Sequence, residues 1–457
     1  MTIDIGSRLE LFLDARLLEE ISSGLTFIQH RPRPENVVIT DDKPWEYTIN
    51  YFSAMRAADG GYRMYYRGIN NSRHEMLDRK NAPNCMAVSA DGIHWEKPEL
   101  HMFEFENSSA NNIIIGGDWE LIPPTEKFKG RLPAGIFWQD SVAPFIDPGA
   151  PPESRYRSLL RGTVRGNSEL GMFPGVSPDG IQWTVLTDEP IITHGRFDSQ
   201  NLAVYDSCRK RYAAFIRDTH GIVGREDEEC WNGGVCRDVR VCFSEDFIHW
   251  SDPVYLKYQD ERKIQLYTNA VIPYERAPHI MLGFPTVYMP QGEGKEGQTE
   301  PILMFSHDGG ESWRRMDLPL IPRDAPSERD GNRSNYMAHG LLFPNDREMY
   351  AYATEGYYDG PSRRLRRFVW RTDGFVSLKG SGHAMTRLLR CDGNRLILNY
   401  RGALRVTLTD ETGETLCRRE FQGDETAAVM ELDSLRFPCR LHFDLADGEI
   451  FSFRFSS

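Results

Sequence analysis

The sequence has no run of 18 apolar residues, and this absence argues against a transmembrane helix. Its first twenty residues contain no basic stretch followed by an apolar one, which is the pattern of a secretory signal. The eight cysteines include no C-x-x-C pair, and this argues against a zinc site. We therefore expect a cytoplasmic protein with reduced thiols that works without a metal or other cofactor and without a membrane partner.

Several functional signatures are also missing. No Gly-rich loop leads from a strand into a helix, so nucleotide binding is not expected. No G-x-S-x-G segment occurs, which excludes one common serine-hydrolase arrangement. The formal net charge of −13 argues against a nucleic-acid partner. An acidic surface favours a neutral or cationic substrate, unless local clusters of arginine reverse the field.

Helical periodicity is nearly absent as well. Only residues 9–20 fit a short helix, and the same residues also fit a strand. The chain contains 9 Trp, 19 Tyr and 24 Phe, and these residue types favour the half-buried surface of a β-sheet. The composition therefore predicts an all-β protein.

One short pattern occurs four times. A Ser and an Asp two residues later can bond nearby backbone groups, a following Gly supplies positive φ, and together they predict a tight turn. A Trp then begins the next strand. The four copies are Ser89–Trp95, Ser177–Trp183, Ser244–Trp250 and Ser306–Trp313. Each copy follows short strand-like segments, and a fifth unit, over residues 335–375, keeps the strands without the turn. Five such sheets predict a five-bladed β-propeller.

The repeat ends near Ser377, and a different pattern follows. From about Gly380 onward the residues alternate between apolar and polar, with turn dipeptides at 392–393 and 412–413. We expect the propeller to occupy residues 1–377, with an N-terminal lead-in segment, and a small β-sandwich to occupy residues 378–457.

The innermost strand of a propeller blade begins at the central pocket, so functional side chains are expected there. An Asp-Ser pair occurs at this position twice, at Asp140 and at Asp198. Asp198 is followed by Gln200 and Asn201 in a strand that should be apolar. Two carboxylates across a pocket are what cleavage of a glycosidic bond requires. The alternative is that an Asp at the start of a strand only caps a turn.

Other segments offer further candidates. Glu46 lies beside Trp45, which could form a sugar platform or belong to the core, and Glu355 ends a strand and could be a pocket residue or an exposed end. His339 could also reach the pocket. Arginines recur near the ends of second strands, where they could bind a ligand or pair with the acids. The candidate binding residues are Trp45, Asn201, Arg217, Tyr267, Asn269, Arg333 and Asn335.

The segments 45–46, 62–68, 89–95, 198–201, 267–270 and 332–336 together carry a resemblance. The chain resembles bacterial glycosyl hydrolase-like proteins, whose five-bladed propeller is similar to that of the β-fructofuranosidase and arabinofuranosidase clans. Those clans place an acid on each of the first three blades, which the resemblance carries over to Glu46, Asp140 and Asp198. The Asn-Asp-Pro-Asn-Gly and Arg-Asp-Pro motifs of the invertase-like enzymes are absent.

The sequence thus predicts a glycoside hydrolase that acts on small oligosaccharides, with Asp198 as general acid/base and Asp140 or Glu46 as the second carboxylate. Carboxyl groups about 5–5.5 Å apart would indicate retention of configuration, and about 6.5–9.5 Å would indicate inversion. Two alternatives remain open. One is a sugar-binding propeller without activity, and the other is a lyase or phosphorylase, in which Arg333 and Arg217 could bind phosphate. The oligomeric state is also open.

Overall fold

The computed structural model describes residues 2–46, 48–69, 82–116, 122–128, 130, 135–136, 142–164, 170–221, 234–290, 297–322, 336–356, 363–432 and 438–457. Over these ranges the regular elements are β-strands and one 3-10 turn, Pro152–Ser154. The predicted all-β class is therefore confirmed. None of the described segments forms a helix long and apolar enough to cross a bilayer.

The strands follow one another along the chain as β1 Ile3–Gly6, β2 Glu10–Leu11, β3 Leu18–Ile21, β4 Leu25–Gln29, β5 Arg33–Thr40, β6 Thr48–Arg56, β7 Tyr62–Ile69, β8 Asn84–Ser89, β9 Ile113–Ile115, β10 Gly135–Ile136, β11 Phe145–Ile146, β12 Tyr156–Val164, β13 Leu170–Ser177, β14 Thr184–Val185, β15 Leu202–Asp206, β16 Arg211–His220, β17 Cys236–Ser244, β18 Val254–Tyr255, β19 Lys257–Tyr258, β20 Gln265–Leu266, β21 Ile272–Tyr274, β22 Ala277–Gly283, β23 Thr286–Met289, β24 Gln298–Ser306, β25 Ser312–Pro319, β26 Tyr336–Met337, β27 Glu348–Glu355, β28 Arg364–Arg371, β29 Val376–Thr386, β30 Leu389–Cys391, β31 Arg395–Asp410, β32 Thr415–Glu431 and β33 Cys439–Ser456.

The chain divides into two compact units. Unit 1 comprises Met1–Pro32, Asn345–Met349 and Trp370–Ser457, and unit 2 comprises Arg33–Pro344 and Tyr350–Val369. The first 32 residues therefore belong to the same unit as the C-terminal strands. The segment 9–20, which fits either a helix or a strand by its pattern, contains strand β2 and the start of β3.

Unit 2 contains five propeller-like sheets in its described part, nearly all of their pairings antiparallel. Sheet I has the order β6-β7-β8-β9, and sheet II has β10-β12-β13-β14 with β11 beside β12. Sheet III has the order β15-β16-β17-β18. Sheet IV is built around β19-β25-β24-β22-β21, with β20 and β23 attached. Sheet V has the order β26-β27-β28-β5, so a strand that precedes sheet I in the chain completes the last sheet.

The repeated turns form as predicted, from local hydrogen bonds. In the first copy the Ser89 Oγ accepts a bond from the Gly92 N–H at 2.8 Å, and Asp91 Oδ1 accepts bonds from the Ile93 and His94 N–H groups, each at 2.8 Å. Gly92 has a φ of 74°. The same pattern recurs in the other three copies, and in the third copy Phe247 takes the positive-φ position, with a φ of 71°.

Each turn packs against the preceding sheet, and the order closes on itself. Tyr352 of sheet V donates a hydrogen bond to Gly92 in the turn of sheet I, and Arg63 of sheet I donates one to Asp179 in the turn of sheet II. The ring of Phe145 in sheet II contacts Phe247 in the turn of sheet III. The ring of Phe215 in sheet III contacts Trp313 at the turn of sheet IV. Tyr274 of sheet IV also contacts Phe343, beside sheet V, at 5.9 Å between ring centroids. Successive packing of this kind is typical of propeller blades.

Unit 1 is built on a nine-stranded sheet, which we call sheet VI. The long strands β29, β31, β32 and β33 form most of it, and β1 to β4 pair with its other strands. Bulges occur between residues 380 and 382 and between residues 401 and 403, and bulges of this kind bend a strand and increase its twist. Its core includes Phe12, Phe443 and Phe453, whose rings contact one another.

The cysteines differ from the expectation. Cys236 is disulfide-bonded, so the prediction that all eight cysteines are reduced thiols is wrong for this residue. Six others are free thiols. Among these, Cys391 and Cys439 of unit 1 are buried with their Sγ atoms 3.7 Å apart. The prediction rested on the composition of the first twenty residues, which does not determine the oxidation state of a particular cysteine.

Candidate functional site

One strand from each of sheets I to V, namely β6, β11, β15, β21 and β26, lies next to the same cavity, and we call these the inner strands. At their C-terminal ends they surround a cavity of about 410 Å³. Each sheet contributes a residue to its wall, namely Ala54, Phe145, Val204, Ile272 and His339. The lining is largely apolar, so this end of the inner strands offers few groups for chemistry.

A layer of hydrogen bonds joins the inner strands above that cavity. The Nδ1 atom of His339 lies 2.8 Å from Ser53 Oγ, and its Nε2 atom lies 3.1 Å from the Val271 carbonyl oxygen. A carbonyl only accepts, so Nε2 carries the proton and Nδ1 accepts from the serine hydroxyl. Complete burial lowers the pKa of His339 to about 4, which keeps the ring neutral at physiological pH. Gln200 donates to the Phe52 carbonyl at 3.2 Å in the same layer.

The opposite, N-terminal ends of the inner strands contain strained backbone. Tyr51, Phe197 and Ala270 have φ values of 51°, 59° and 42°, although none of them is glycine. Such conformations cost of order 1–3 kcal/mol each and cluster at functional sites. Phe197 and Ala270 directly adjoin Asp198 and Asn269, both of which the sequence singled out. We therefore take this end of the inner strands as the candidate site.

Asp198 lies at this end, four residues before the start of β15. Its side chain is 24% exposed, and its Oδ1 atom accepts a hydrogen bond from Nη1 of Arg217. The Arg217 side chain is only 5% exposed, and its guanidinium carbon lies 5.8 Å from the centre of the Tyr267 ring. A charge-assisted bond of this kind fixes the direction of the carboxylate. Asp198 therefore presents an oriented, partly accessible carboxylate beside an aromatic ring.

Two of the predicted binding residues hold this segment in place. The buried amide of Asn201 donates to the carbonyls of Phe197 and Ser199 at 3.0 and 2.8 Å, and its oxygen accepts from the Arg217 N–H at 2.9 Å. These bonds fix the backbone on both sides of Asp198. The buried amide of Asn269 likewise bonds backbone groups of Gln200, Phe215 and Val271. Both amides are thus occupied by the protein itself.

Sequence reasoning did not identify Arg237. Its guanidinium carbon lies 4.0 Å from the centre of the Tyr288 ring and 5.1 Å from that of Tyr267, and its Nη1 donates to Gln265 Oε1 at 3.2 Å. The Tyr267 ring is also 5.5 Å from the ring of Tyr336. A signal for Arg237 existed, because alternation along β17 puts it on the face that carries valines 239 and 241.

Glu46 and Trp45 lie away from Asp198. Glu46 is fully buried, and its carboxylate accepts from the Tyr66 hydroxyl at 2.5 Å and pairs with Lys97. Burial raises the pKa of Glu46, and the Lys97 ammonium opposes that shift. The Trp45 indole donates to Asn112 Oδ1 at 2.8 Å. These partners lie on β7 and in the segments between β8 and β9, and not on the inner strands.

The side chain of Glu355 is also held in buried ion pairs. It is 1% exposed and pairs with Arg364 at 2.7 Å and with Arg366 at 2.8 Å, both on the neighbouring strand β28. Asp140, Arg333 and Asn335 lie outside the described residues. Within the described part of the chain, no group of three His, Cys, Asp or Glu side chains is arranged to hold a metal ion.

Comparison with protein-family models and with curated proteins finds no match. A solved structure described as a glycoside hydrolase superposes with a TM-score of 0.51 at 12% identity, over 75% of this chain and 92% of that one. A thermostable family-43 glycoside hydrolase gives a TM-score of 0.47 at 12% identity, over 76% and 96% of the two chains. An N-acetylgalactosamine deacetylase from F. plautii, in complex with blood group B trisaccharide, gives a TM-score of 0.47 at 13% identity, over 77% and 97% of the two chains.

These identities show the fold alone. The first similarity shows that the chain shares a fold with a glycoside hydrolase. The predicted relationship to propeller-fold glycoside hydrolases is thus confirmed at the level of the fold.

Proposed function

We propose that this protein is a glycoside hydrolase that cleaves small oligosaccharides or glycosides at the N-terminal ends of the inner strands of unit 2. In this proposal sheets I to V are the blades of a five-bladed propeller, and sheet VI folds as a β-sandwich. One observation carries the functional proposal. Asp198 presents a partly exposed carboxylate, oriented by Arg217 and beside Tyr267, at the strained end of the inner strands.

The chemistry needs two carboxyl groups with different roles. The Asp198 carboxyl group accepts a hydrogen bond from the Arg217 guanidinium, a contact that suits a nucleophile or base better than a proton donor. We therefore propose this role for Asp198 in place of the combined general acid/base role that the sequence suggested. Asp140, which begins the equivalent Asp-Ser pair ahead of β11 in the sequence, is proposed as the proton donor. Glu46 and Glu355 are proposed as structural acids, because each is buried in an ion pair.

The tyrosines supply the surfaces for the sugar. The ring of Tyr267 adjoins the ring of Tyr336 and the guanidinium of Arg217, and aromatic faces suit the apolar faces of sugar rings. Arg333 and Asn335 stay candidates for hydroxyl contacts. A site enclosed by the ends of five sheets admits the terminus of a glycan more readily than the middle of a long polymer.

The test is turnover on a panel of aryl furanosides and pyranosides, followed by the same assay on Asp198→Asn. We expect a loss of about 10²–10⁴-fold in kcat with sugar binding retained, because the substitution removes a catalytic carboxylate and little volume. Asp59→Asn is the matched control, since Asp59 is also paired with an arginine, Arg63, but is 65% exposed. Full turnover by Asp198→Asn would refute the assignment.

The same assay separates the alternatives. A wild-type protein that binds sugars but turns over none of the panel would be a binding protein. Turnover that depends on added phosphate would identify a phosphorylase, a possibility that two arginines beside Tyr267 keep open.

A further inference from the structure

Three polar side chains share one face of sheet III next to Asp198. Arg217 and Thr219 lie two residues apart on β16, and so they point to the same side. Thr219 is the cross-strand partner of Arg237 on β17, which places their Cβ atoms about 4.5–5.5 Å apart. Arg217 is the diagonal neighbour of Arg237, at about 7–8 Å. We call these residues the Arg217–Thr219–Arg237 face.

Each of the three side chains has a polar atom with no partner among the described residues. The Nε atoms of both arginines and the Oγ1 atom of Thr219 are buried without a hydrogen bond to any described residue. Arg217 and Thr219 are 4% and 2% exposed. A buried polar group left unpaired costs about 1–3 kcal/mol, so three of them on one face favour a further partner there. All three can donate a hydrogen bond.

The charge at this face is also unbalanced. Asp198 neutralises Arg217, but Arg237 has no carboxylate partner among the described residues, and its Nη1 bonds the neutral amide of Gln265. The rings of Tyr267 and Tyr288 hold its guanidinium from one side, and a cation in contact with aromatic rings keeps its full charge. The face is therefore locally positive within a chain whose net charge is −13.

From these observations we infer that the Arg217–Thr219–Arg237 face binds an oxyanion, either the carboxylate of an acidic sugar or a phosphate group. Planar guanidinium groups match the two oxygens of such an anion, and the hydroxyl of Thr219 supplies a third donor. The anion would lie beside Asp198, so its role as part of a substrate or as a co-substrate rests on the proposed function. Sequence charge alone favoured a neutral or cationic substrate, and this face locally reverses that field.

The test is calorimetric titration of the wild-type protein at low ionic strength with D-glucuronate, D-glucose and inorganic phosphate. We expect one of the two anions to bind, glucose to bind at least about tenfold more weakly than that anion, and affinity to fall with added salt. Binding of glucuronate identifies an acidic-sugar subsite, and binding of phosphate alone identifies a phosphate subsite. Failure of both anions to bind would overturn the inference.

Two arginine variants test whether the anion binds at the Arg217–Thr219–Arg237 face. Arg237→Gln should weaken the anion at least about tenfold, because it removes the charge and the fork of donors. Arg211→Gln is the matched control, since Arg211 lies at the other end of β16 with its guanidinium carbon 3.8 Å from the centre of the Phe243 ring. It should bind the anion as the wild type does. Anion binding unchanged in Arg237→Gln would overturn the inference. Should that variant not fold, Arg237→Lys replaces it, with a smaller but measurable loss expected.

Binding is measured here without turnover. An inactive protein that binds the anion through Arg237 would therefore contradict the proposed glycosidase but keep this inference. An active glycosidase that binds neither anion would support the proposed function and overturn this inference.

Discussion

Mild acid should destabilise the protein through His339. The ring is fully buried, with Nδ1 accepting from Ser53 and Nε2 donating to the Val271 carbonyl. Protonation would place a charge in this apolar layer and turn Nδ1 into a donor facing the serine hydroxyl. Burial accordingly lowers the pKa of His339 to about 4, from an ordinary value of 6.5. Among the described residues, no carboxylate is bonded to the ring to offset the added charge.

The size of the effect follows from linkage. The folded pKa lies below the unfolded one, so between pH 6.5 and pH 4 the unfolded chain binds more protons than the folded protein. The stabilisation due to the neutral ring is therefore complete above pH 6.5 and is lost as the pH falls toward 4. Between pH 7 and pH 5 the loss from this one residue should be about 2 kcal/mol of unfolding free energy.

The assay is urea unfolding at pH 7 and pH 5 of the wild type and of His339→Gln. The variant cannot be protonated at this position, while its amide can still donate to the Val271 carbonyl. It should be less stable at both pH values but lose about 2 kcal/mol less than the wild type on acidification. All other titrating groups are common to both proteins, so they cancel in the comparison. An identical pH dependence in the two proteins would refute the argument that His339 is neutral because it is buried.

Two further predictions concern structural residues. Glu46→Gln should lower the free energy of unfolding by about 1–3 kcal/mol, because Lys97 loses a buried partner, and should keep kcat/KM within about twofold. A loss of 100-fold or more in a folded variant would instead make Glu46 catalytic. Gly180→Ala should cost more than 2 kcal/mol in urea unfolding, since its φ is +71° and an added Cβ would lie 2.5 Å from the Tyr65 hydroxyl oxygen. Gly60→Ala is the matched control, with a φ of +96° and open space around it, and should cost about 1 kcal/mol. Equal losses at the two glycines would show that the packing of the turn on sheet I contributes nothing.

Predictions from sequence succeeded where the relevant interactions are local. The Ser-x-Asp turns depend on hydrogen bonds across two to four residues, so the four copies could be recognised in the sequence before any sheet was known. Asp198 also stood out locally, since polar residues follow it in a strand that should be apolar. Its partner Arg217 was identified as well, because arginine recurs at that strand position.

Other residues could not be placed in this way. Glu46 was a candidate because of its neighbour in the sequence, yet Tyr66 and Lys97, which lie 20 and 51 residues further along the chain, hold it in the core. Glu355 pairs with arginines of the adjacent strand. Arg237 lies beside Tyr267 only because sheets III and IV are neighbours. In each case the side chain's partner comes from another strand or sheet.

By itself, then, the amino-acid order determined the β class, the repeated turns and the position of one oriented acid, since hydrogen bonds between near neighbours and strand alternation need no tertiary contacts. Only the tertiary structure decided which acids point into the core, and which cations meet at the Arg217–Thr219–Arg237 face. The physical reason is that burial and ion pairing depend on which strands are adjacent in space, and a sequence pattern repeated in every sheet does not distinguish one neighbour from another.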